Sequence, residues 1–439
     1  MSRKKQLPRD ARIAVERLDD HGCGRGEHSG LDVRVWGALP GERAGVRVIK
    51  RRRNRLEAVA ETIAEPHADR ITPDCPYAAR CGGCALQHLS PTAQRDLKRQ
   101  RLGRLLAEAG VDAPARWLPD VHGPTRGYRR KARLGVRSVP GKGGVLVGFR
   151  ERGSSRVADV AACRILAPVV GDRLAALRRL LGALSAPAAV PQLEIAVGDE
   201  GAAVIVRHLE PLTDADVALL LDAGERLGFT PFSQSGGPGT VRPLEEGADA
   251  LLHYALPEFG LRMAFHPLDF TQVNAAVNRA MIVAALAELA PRPEDRVLDL
   301  FCGLGNFTLP LATRCAEVHG MEGSEALVAR ARENADRNGI ANARFGVADL
   351  YADDFDVNSL PTADLLLLDP PRSGAERVCA GIEALAPRRL VYVSCNPETL
   401  ARDAALLTAR GYRLEGAGII DMFPHTAHVE SMAVFERAA

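Results

Sequence analysis

A cysteine stands at the end of an apolar segment late in the chain. Leu390 to Val393 are apolar or aromatic, Ser394 and Cys395 follow, and Asn396-Pro397 marks a turn. This pattern predicts a buried strand, and ligands of open α/β sheets bind beyond the carboxyl ends of such strands. A free cysteine is usually a small core residue, but this position predicts a thiol that faces a pocket. We therefore take Cys395 as a candidate nucleophile.

An upstream loop predicts a nucleotide-type cofactor site. Residues 299–306, Asp-Leu-Phe-Cys-Gly-Leu-Gly-Asn, follow an apolar segment, and their glycine spacing is not the dinucleotide pattern. Glu322 ends the next predicted strand, where a carboxylate can accept hydrogen bonds from both ribose hydroxyls. Asp349 follows the third strand, near the place of an adenine ring. Two carboxylates suit a ligand without phosphates, such as S-adenosylmethionine, better than a dinucleotide.

A third loop follows the fourth predicted strand and has the sequence Asp369-Pro370-Pro371-Arg372. The prolines restrict the backbone, so we expect a rigid turn that presents Asp369 outward, where it could accept a hydrogen bond from a base-edge N–H. Cys395 is expected at the same edge of the sheet. Three other cysteines are predicted to be core residues: Cys302, Cys315 and Cys379.

Three more cysteines form a C-x5-C-x2-C cluster at Cys75, Cys81 and Cys84, and Cys163 is our candidate for a fourth ligand. Four thiolates suit zinc or an iron–sulfur cluster, and the spacing does not choose between them. The chain has 9 cysteines, an odd number. In a reducing compartment such a cluster indicates metal binding or catalysis rather than disulfides.

The composition is that of a globular protein with local basic patches. The 439 residues require two or three domains, and the net charge is only +2. Residues 1–60 nevertheless carry 15 Lys and Arg against 8 Asp and Glu, including the run 50–55. A second basic cluster comprises Arg126, Arg129, Arg130, Lys131 and Arg133. These patches predict a polyanion-binding surface, and an ordinary solvated face is the alternative.

No apolar stretch is long enough to span a bilayer. The basic amino terminus continues into Pro8-Arg9-Asp10 rather than into an apolar segment, so we expect no secretory signal. The sequence therefore predicts a cytoplasmic protein that does not bind a membrane.

The pattern of elements divides the chain into three. Residues 1–69 alternate short apolar runs with turns and predict a small β-barrel. Residues 70–265 mix helices and strands, with one helix at 91–110 after Ser90-Pro91 and another near 169–184. Residues 266–439 alternate helices with apolar strands, which predicts a mostly parallel, doubly wound sheet. Its predicted strands are 296–300, 317–321, 343–347, 365–368 and 390–393.

Taken together, these features resemble the bacterial 23S ribosomal RNA uracil-C5 methyltransferase family, nearly end to end. The resemblance rests on the cysteine cluster with Cys163 and on the segments 270–274, 298–307, 369–372, 394–397 and 422–432. It implies an α/β fold: a Rossmann-like class I methyltransferase domain, an amino-terminal OB-like TRAM barrel that binds RNA, and a central α+β iron–sulfur domain. One departure is Pro371, because close relatives often have Pro-Ala after the aspartate.

The resemblance also implies residue roles. Cys395 would be the nucleophile that forms a covalent adduct at uracil C6, and Glu430 the general base; nearby His425 and His428 are alternatives for the base. The pockets for S-adenosylmethionine and the base would be lined by Gln272, Phe301, Asn306, Glu322, Asp349 and Asp369. A [4Fe-4S] cluster would be held by Cys75, Cys81, Cys84 and Cys163.

The implied reaction is formation of 5-methyluridine, at position 1939 of 23S ribosomal RNA. The implied partner is that RNA as an unfolded or pre-assembly segment, without an obligate protein partner. One alternative is methylation of another ribosomal uridine or of transfer RNA. A second alternative is a non-catalytic iron–sulfur RNA-binding protein, although Cys395 and the cofactor acids are all present.

Overall fold

The computed structural model describes residues 12–139, 141 and 144–438. The basic amino terminus with Pro8-Arg9-Asp10 lies outside the described residues. Within the described part of the chain, no helix combines the length and apolar character needed to cross a bilayer.

The first sheet has six strands and its own apolar core. Its strands are β1 (Arg12–Ala14), β2 (Arg17–Leu18), β3 (Gly24–His28), β4 (Leu31–Trp36), β5 (Arg43–Arg52) and β6 (Arg55–Ala64). Their order is β1-β5-β6-β4-β3-β2, and only β4 and β6 are parallel neighbours. Alternate residues such as Val33 and Val35 are buried, as the period of a strand requires. The basic run 50–55 lies exposed around the β5–β6 turn.

Helix α1 (Pro91–Glu108) and strand β7 (Arg116–Trp117) come next. The helix begins as predicted, because the Ser90 hydroxyl accepts a hydrogen bond from Ala93 N and Pro91 occupies the first turn. It ends two residues earlier than predicted, before Gly110, whose φ of 75° belongs to the left-handed region. Leu102 and Leu106 of α1 pack into a core shared with the last sheet.

The second sheet is built from β8 (Lys131–Val139), β9 (Gly144–Gly148), β10 (Gln192–Val197), β11 (Ala202–Arg207), β12 (Thr230–Gln234) and β13 (Arg242–Pro243). Their order is β13-β12-β11-β10-β8-β9. One face packs against α2 (Pro168–Gly171), α3 (Leu174–Gly182) and α4 (Asp214–Leu227).

The prediction of one continuous helix near 169–184 is wrong. The helical bond between Gly171 O and Ala175 N is replaced, because Gly171 O accepts from Cys163 N and Ala175 N donates to Ala161 O. The segment around Cys163 therefore divides the helix into α2 and α3.

A hairpin of β14 (Leu252–Leu256) and β15 (Leu261–Phe265) leads into the last and largest sheet. The strands of that sheet are β16 (Arg296–Leu300), β17 (Glu317–Glu322), β18 (Ala343–Val347), β19 (Leu365–Leu368), β20 (Arg389–Ser394), β21 (Tyr412–Ile420) and β22 (Glu430–Arg437), with β7 as an eighth. Its helices are α5 (Ala275–Leu289), α6 (Thr308–Ala312), α7 (Glu325–Arg337), α8 (Glu376–Ala380), α9 (Ile382–Leu385) and α10 (Pro397–Thr408).

The order of this sheet is β18-β17-β16-β19-β20-β22-β21-β7. The first five strands are parallel, which confirms the predicted Rossmann-like, parallel-rich sheet. Apolar cores cover both faces, so the strands are apolar on both sides. Strand β22 runs antiparallel to β20, and Ser431 pairs with Ser394. The start of β22 therefore lies at the carboxyl edge of the parallel strands.

Candidate active site

A cleft of about 490 Å³ opens at this carboxyl edge. All eight residues predicted for the reaction and cofactor pockets line it: Gln272, Phe301, Asn306, Glu322, Asp349, Asp369, Cys395 and Glu430. A wider depression beside α5, of about 820 Å³, contains none of them. The loops after the five parallel strands and the first residue of the antiparallel strand β22 thus meet at this cleft.

Cys395 lies directly after β20, in a loop joined to the loop of Arg372. Asn396 Nδ2 donates to Arg372 O at 2.9 Å, and the Thr399 hydroxyl donates to the same oxygen at 3.3 Å. Burial raises the pKa of the Cys395 thiol to about 11. The carboxylates of Glu430 and Asp369 raise the pKa further, whereas Arg372 lowers it. The thiol is therefore held in place but needs help to ionise.

Glu430 is buried at the start of β22, and its Oε2 atom has no hydrogen-bond partner among the described residues. Burial raises the pKa of its carboxyl to about 8, and Asp369 contributes to that shift. A carboxylate with such a pKa is a stronger base than an ordinary glutamate. Neither His425 nor His428 is among the described residues that line the cleft.

Asp369 is half-buried and lines the cleft. Its backbone N–H donates to Leu300 O at 3.3 Å. Burial raises the pKa of the Asp369 carboxyl to about 7. It can therefore act as a hydrogen-bond acceptor or, when protonated, as a donor toward the cleft.

The loop after β16 places backbone groups close to the cleft. Phe301, a non-glycine residue, has a φ of 66°, and its N–H donates to Met321 O at 2.8 Å. Glu322 is held by Gly303 N at 3.1 Å and by Ser324 N at 3.0 Å. These bonds use one lone pair on each carboxylate oxygen, so both oxygens can still accept from a ligand.

Asn306 is held by two residues that the sequence did not single out. Its side-chain amide exchanges two hydrogen bonds with the amide of Asn278, at 2.9 and 3.0 Å. The Tyr254 hydroxyl donates to the same Asn306 oxygen at 2.8 Å. Both partners come from distant elements, α5 and β14, so no local sequence signal could have identified them.

An aromatic pair forms the other wall of the cleft. The rings of Phe301 and Tyr351 lie 5.6 Å apart at an interplanar angle of 39°. The Tyr351 hydroxyl donates to Gly374 O at 2.6 Å, and Tyr351 N donates to the carboxylate of Asp349 at 3.0 Å. Tyr351 was missed because it lies in a loop without periodicity, two residues after Asp349.

The cleft carries a net negative charge. Among the described lining residues, Glu322, Asp349, Asp369 and Glu430 are acidic and Arg372 is the one Lys or Arg. This favours a cationic ligand and disfavours one with several phosphates. The arrangement combines a cationic-ligand pocket, a thiol and a carboxylate of raised pKa.

The four clustered cysteines are brought together elsewhere. A small pocket is lined by Cys75, Cys81, Cys84 and Cys163. Burial raises the pKa of the Cys84 thiol to about 12, and the neighbouring cysteines add to the shift. Arg152, itself buried, donates to Cys81 O at 3.1 Å and to Cys84 O at 2.7 Å.

The donor set of this pocket fits a thiolate-ligated group, since four cysteines surround one cavity. Across the described residues, however, no three or more His, Cys, Asp or Glu side chains are arranged to hold a metal ion.

The second basic cluster is mostly used within the protein. Arg126 pairs with Asp74, Arg130 with Asp199 and Arg133 with Glu194. The remaining two members are also engaged: Arg129 stacks on Phe149 and Phe423, and Lys131 donates to Asp269 O. Members of the run 50–55 are ion-paired as well, Arg52 with Glu57 and Arg55 with Asp32, so both basic patches stay predictions as polyanion-binding surfaces.

Comparison with known proteins identifies relatives along the whole chain. A family model described as tRNA (Uracil-5-)-methyltransferase matches residues 260–438. A Bordetella bronchiseptica protein named 23S rRNA (uracil(1939)-C(5))-methyltransferase RlmD is 51% identical, over 97% of this chain and 92% of its own length. An Alkalilimnicola ehrlichii protein of the same name is also 51% identical, over 100% of this chain and 99% of its own.

Among solved structures, the chain is similar to Pyrococcus abyssi tRNA (uracil-54, C5)-methyltransferase in complex with S-adenosyl-L-homocysteine. The TM-score is 0.73 at 24% identity, covering 97% of this chain and 100% of the other. That similarity establishes the fold, and 51% identity over nearly the whole chain establishes the family. The chain belongs to the family of 23S rRNA (uracil-C5)-methyltransferases named RlmD.

Proposed function

We propose that this protein methylates C5 of uridine 1939 in 23S ribosomal RNA, using S-adenosylmethionine and a covalent adduct between Cys395 and C6 of the base. The observation that carries the proposal is the convergence of Cys395, Glu430 and the predicted cofactor residues on one cleft. The names of the relatives indicate the RNA position.

S-Adenosylmethionine would supply an electrophilic methyl group on a positively charged sulfonium. The negative charge of the cleft suits that cation. Glu322 has free lone pairs for ribose hydroxyls, and the rings of Phe301 and Tyr351 offer apolar surface for the adenine. Gln272, Asn306 and Asp349 complete the proposed pocket, and Asp369 lines the same cleft as the thiol.

The reaction begins at Cys395, because uracil C5 is a poor nucleophile. Addition of the Cys395 thiolate to C6 moves the ring electrons to O4 as an enolate, which makes C5 nucleophilic. The enolate electron pair would then form the new C5–methyl bond while the methyl–sulfur bond breaks and its electron pair stays on sulfur. Arg372 favours the thiolate, and Asp369 can hydrogen-bond to the polar edge of the base.

Glu430 completes the reaction by removing the C5 proton. The C5–H electron pair forms the C5=C6 double bond, the C6–sulfur bond breaks, and Cys395 leaves as a thiolate. A pKa of about 8 makes Glu430 a suitable proton acceptor near neutral pH. The base must be flipped out of its stack to reach this cleft.

The remaining parts of the chain fit the proposal. We assign residues 1–69 to a TRAM-like RNA-binding barrel, 70–265 to a central domain and 266–439 to the catalytic domain, although α1 and β7 pack on the catalytic sheet. The cysteines would hold a [4Fe-4S] cluster. The small cavity that these four cysteines line supports a thiolate-ligated group.

Incubation with a 23S RNA fragment and labelled S-adenosylmethionine tests the proposal. We expect 5-methyluridine at position 1939, mapped by mass spectrometry, with the native protein. Cys395→Ala should bind the RNA and form no product. Full methylation by Cys395→Ala would refute the assignment of Cys395 as the nucleophile. Methylation of transfer RNA alone would refute 23S RNA as the substrate.

A further inference from the structure

The segment that carries Glu430 is anchored to a distant part of the chain. Residues 421–429, which we call the strap, connect β21 to β22 and lead directly into Glu430. The Glu430 carboxyl has an unpartnered oxygen among the described residues, so its own polar contacts do not fully hold it. The strap must therefore help to determine where this carboxyl lies.

Gln94 of α1 joins the strap to residues 85–89, which follow Cys84 and which we call the cysteine segment. Its Oε1 accepts from His425 N at 2.8 Å, and its Nε2 donates to Leu89 O at 2.7 Å and to Leu86 O at 3.1 Å. The side chain is 1% exposed, so water does not compete for these bonds. One buried amide thus satisfies three backbone groups from two segments.

The cysteine segment also contacts the strap directly. Ala85 N and Leu86 N both donate to His425 O at 2.9 Å. Ala85 follows the proposed ligand Cys84. His425 has a φ of 66°, a left-handed conformation that is uncommon for residues other than glycine. Its N–H donates to Gln94 and its carbonyl accepts from the cysteine segment. These bonds stabilise the left-handed conformation.

Two further contacts hold the strap. Lys98 Nζ donates to the carboxylate of Asp421 at 2.6 Å and to Phe423 O at 3.1 Å. The Tyr128 hydroxyl donates to Pro424 O at 3.1 Å, and the Tyr128 ring packs against Cys84. Neither side chain is among the described residues that line the cleft, so both act at a distance from the reacting atoms.

We infer that Gln94 is a positioning residue for Glu430, and that the strap links the cysteine segment to the proton-removal step. This inference rests on the proposed function. If the strap shifts, Cys395 can still add to C6 and C5 can still be methylated. The C5 proton then stays in place, the C6–sulfur bond does not break, and the methylated adduct accumulates.

Gln94→Met tests the inference, since it keeps the length of the side chain and removes its hydrogen bonds to Leu86, Leu89 and His425. Gln100→Met is the matched control, the same change at an exposed position of α1. We expect Gln94→Met to lower kcat by roughly tenfold to a hundredfold, with RNA affinity unchanged. Denaturing gels should show an RNA–protein adduct that persists, and Gln100→Met should behave as native.

Two more variants make each outcome decisive. Glu430→Gln should trap the same adduct; normal turnover by that variant would overturn the base assignment, and this inference with it. If Glu430→Gln traps the adduct but folded Gln94→Met does not, only the inference is overturned. Should Gln94→Met fail to fold, Tyr128→Phe, which removes one hydroxyl, should prolong the adduct severalfold. A native adduct lifetime in Tyr128→Phe would then refute the inference.

Discussion

The pH dependence of adduct breakdown gives the sharpest test of Glu430 as the base. Only the deprotonated carboxylate can accept the C5 proton. With a pKa of about 8, Glu430 is deprotonated in about one molecule in ten at pH 7 and in about one in a hundred at pH 6. The rate constant for adduct breakdown should therefore rise about tenfold from pH 6 to pH 7 and level off above pH 8.

The assay must separate this step from adduct formation, which depends on the Cys395 thiol and its pKa of about 11. Adduct would first be accumulated in a single turnover with excess enzyme, the pH then changed by rapid mixing, and the decay followed on denaturing gels. Removing the Asp369 charge with Asp369→Asn should lower the pKa of Glu430 and move the midpoint to lower pH. A breakdown rate that stays constant from pH 6 to pH 8 would refute the reasoning.

The raised pKa of Glu430 also affects stability. Its carboxyl has a pKa of about 8 in the folded protein against an ordinary value of 4.5. The folded state therefore binds more protons than the unfolded state between these values, and this group's contribution to stability is lost as pH rises from 4.5 through 8. Glu430→Gln should show a smaller loss of unfolding free energy between pH 5 and pH 8.5, measured with urea. An equal loss in both proteins would contradict the assigned pKa.

Three further predictions concern the surroundings of the site. Asn278→Leu removes two hydrogen bonds to Asn306 and should weaken S-adenosylmethionine binding by about 1–2 kcal/mol in calorimetry. Unchanged affinity would show that Asn278 does not orient Asn306 for the cofactor. Lys98→Met leaves the buried Asp421 carboxylate unpaired and should cost about 3–5 kcal/mol in urea unfolding, with recovery in the double variant carrying Asp421→Leu. Arg53 lies in the exposed β5–β6 turn. Arg53→Gln should lower the slope of log K for RNA binding against log salt concentration by about the value of one phosphate contact. An unchanged slope would show that this turn does not contact the RNA.

Much of the site could be predicted from sequence because parallel strands end at one edge. Cys395, Asp369, Glu322 and Asp349 each follow an apolar segment, and strands of a parallel sheet bring such positions together without further information. The apolar strands also identified the doubly wound sheet, since both of its faces are covered by helices and loops. These conclusions depend only on local patterns and their order along the chain.

Other features depend on contacts between distant segments. Glu430 reaches the cleft because β22 runs antiparallel to β20, so that its first residue lies at the edge where its neighbour ends. The partners Asn278 and Gln94 come from separate helices, and neither has a local pattern that indicates its role. The carboxylate partners of Arg126, Arg130 and Arg133 in the second basic cluster were likewise located only by the tertiary structure. Sequence alone thus determined which strand ends carry chemistry. The tertiary structure decided which side chains hold these groups, because the contacts join separate elements, 28 positions apart for Asn278 and Asn306 and 331 for Gln94 and His425.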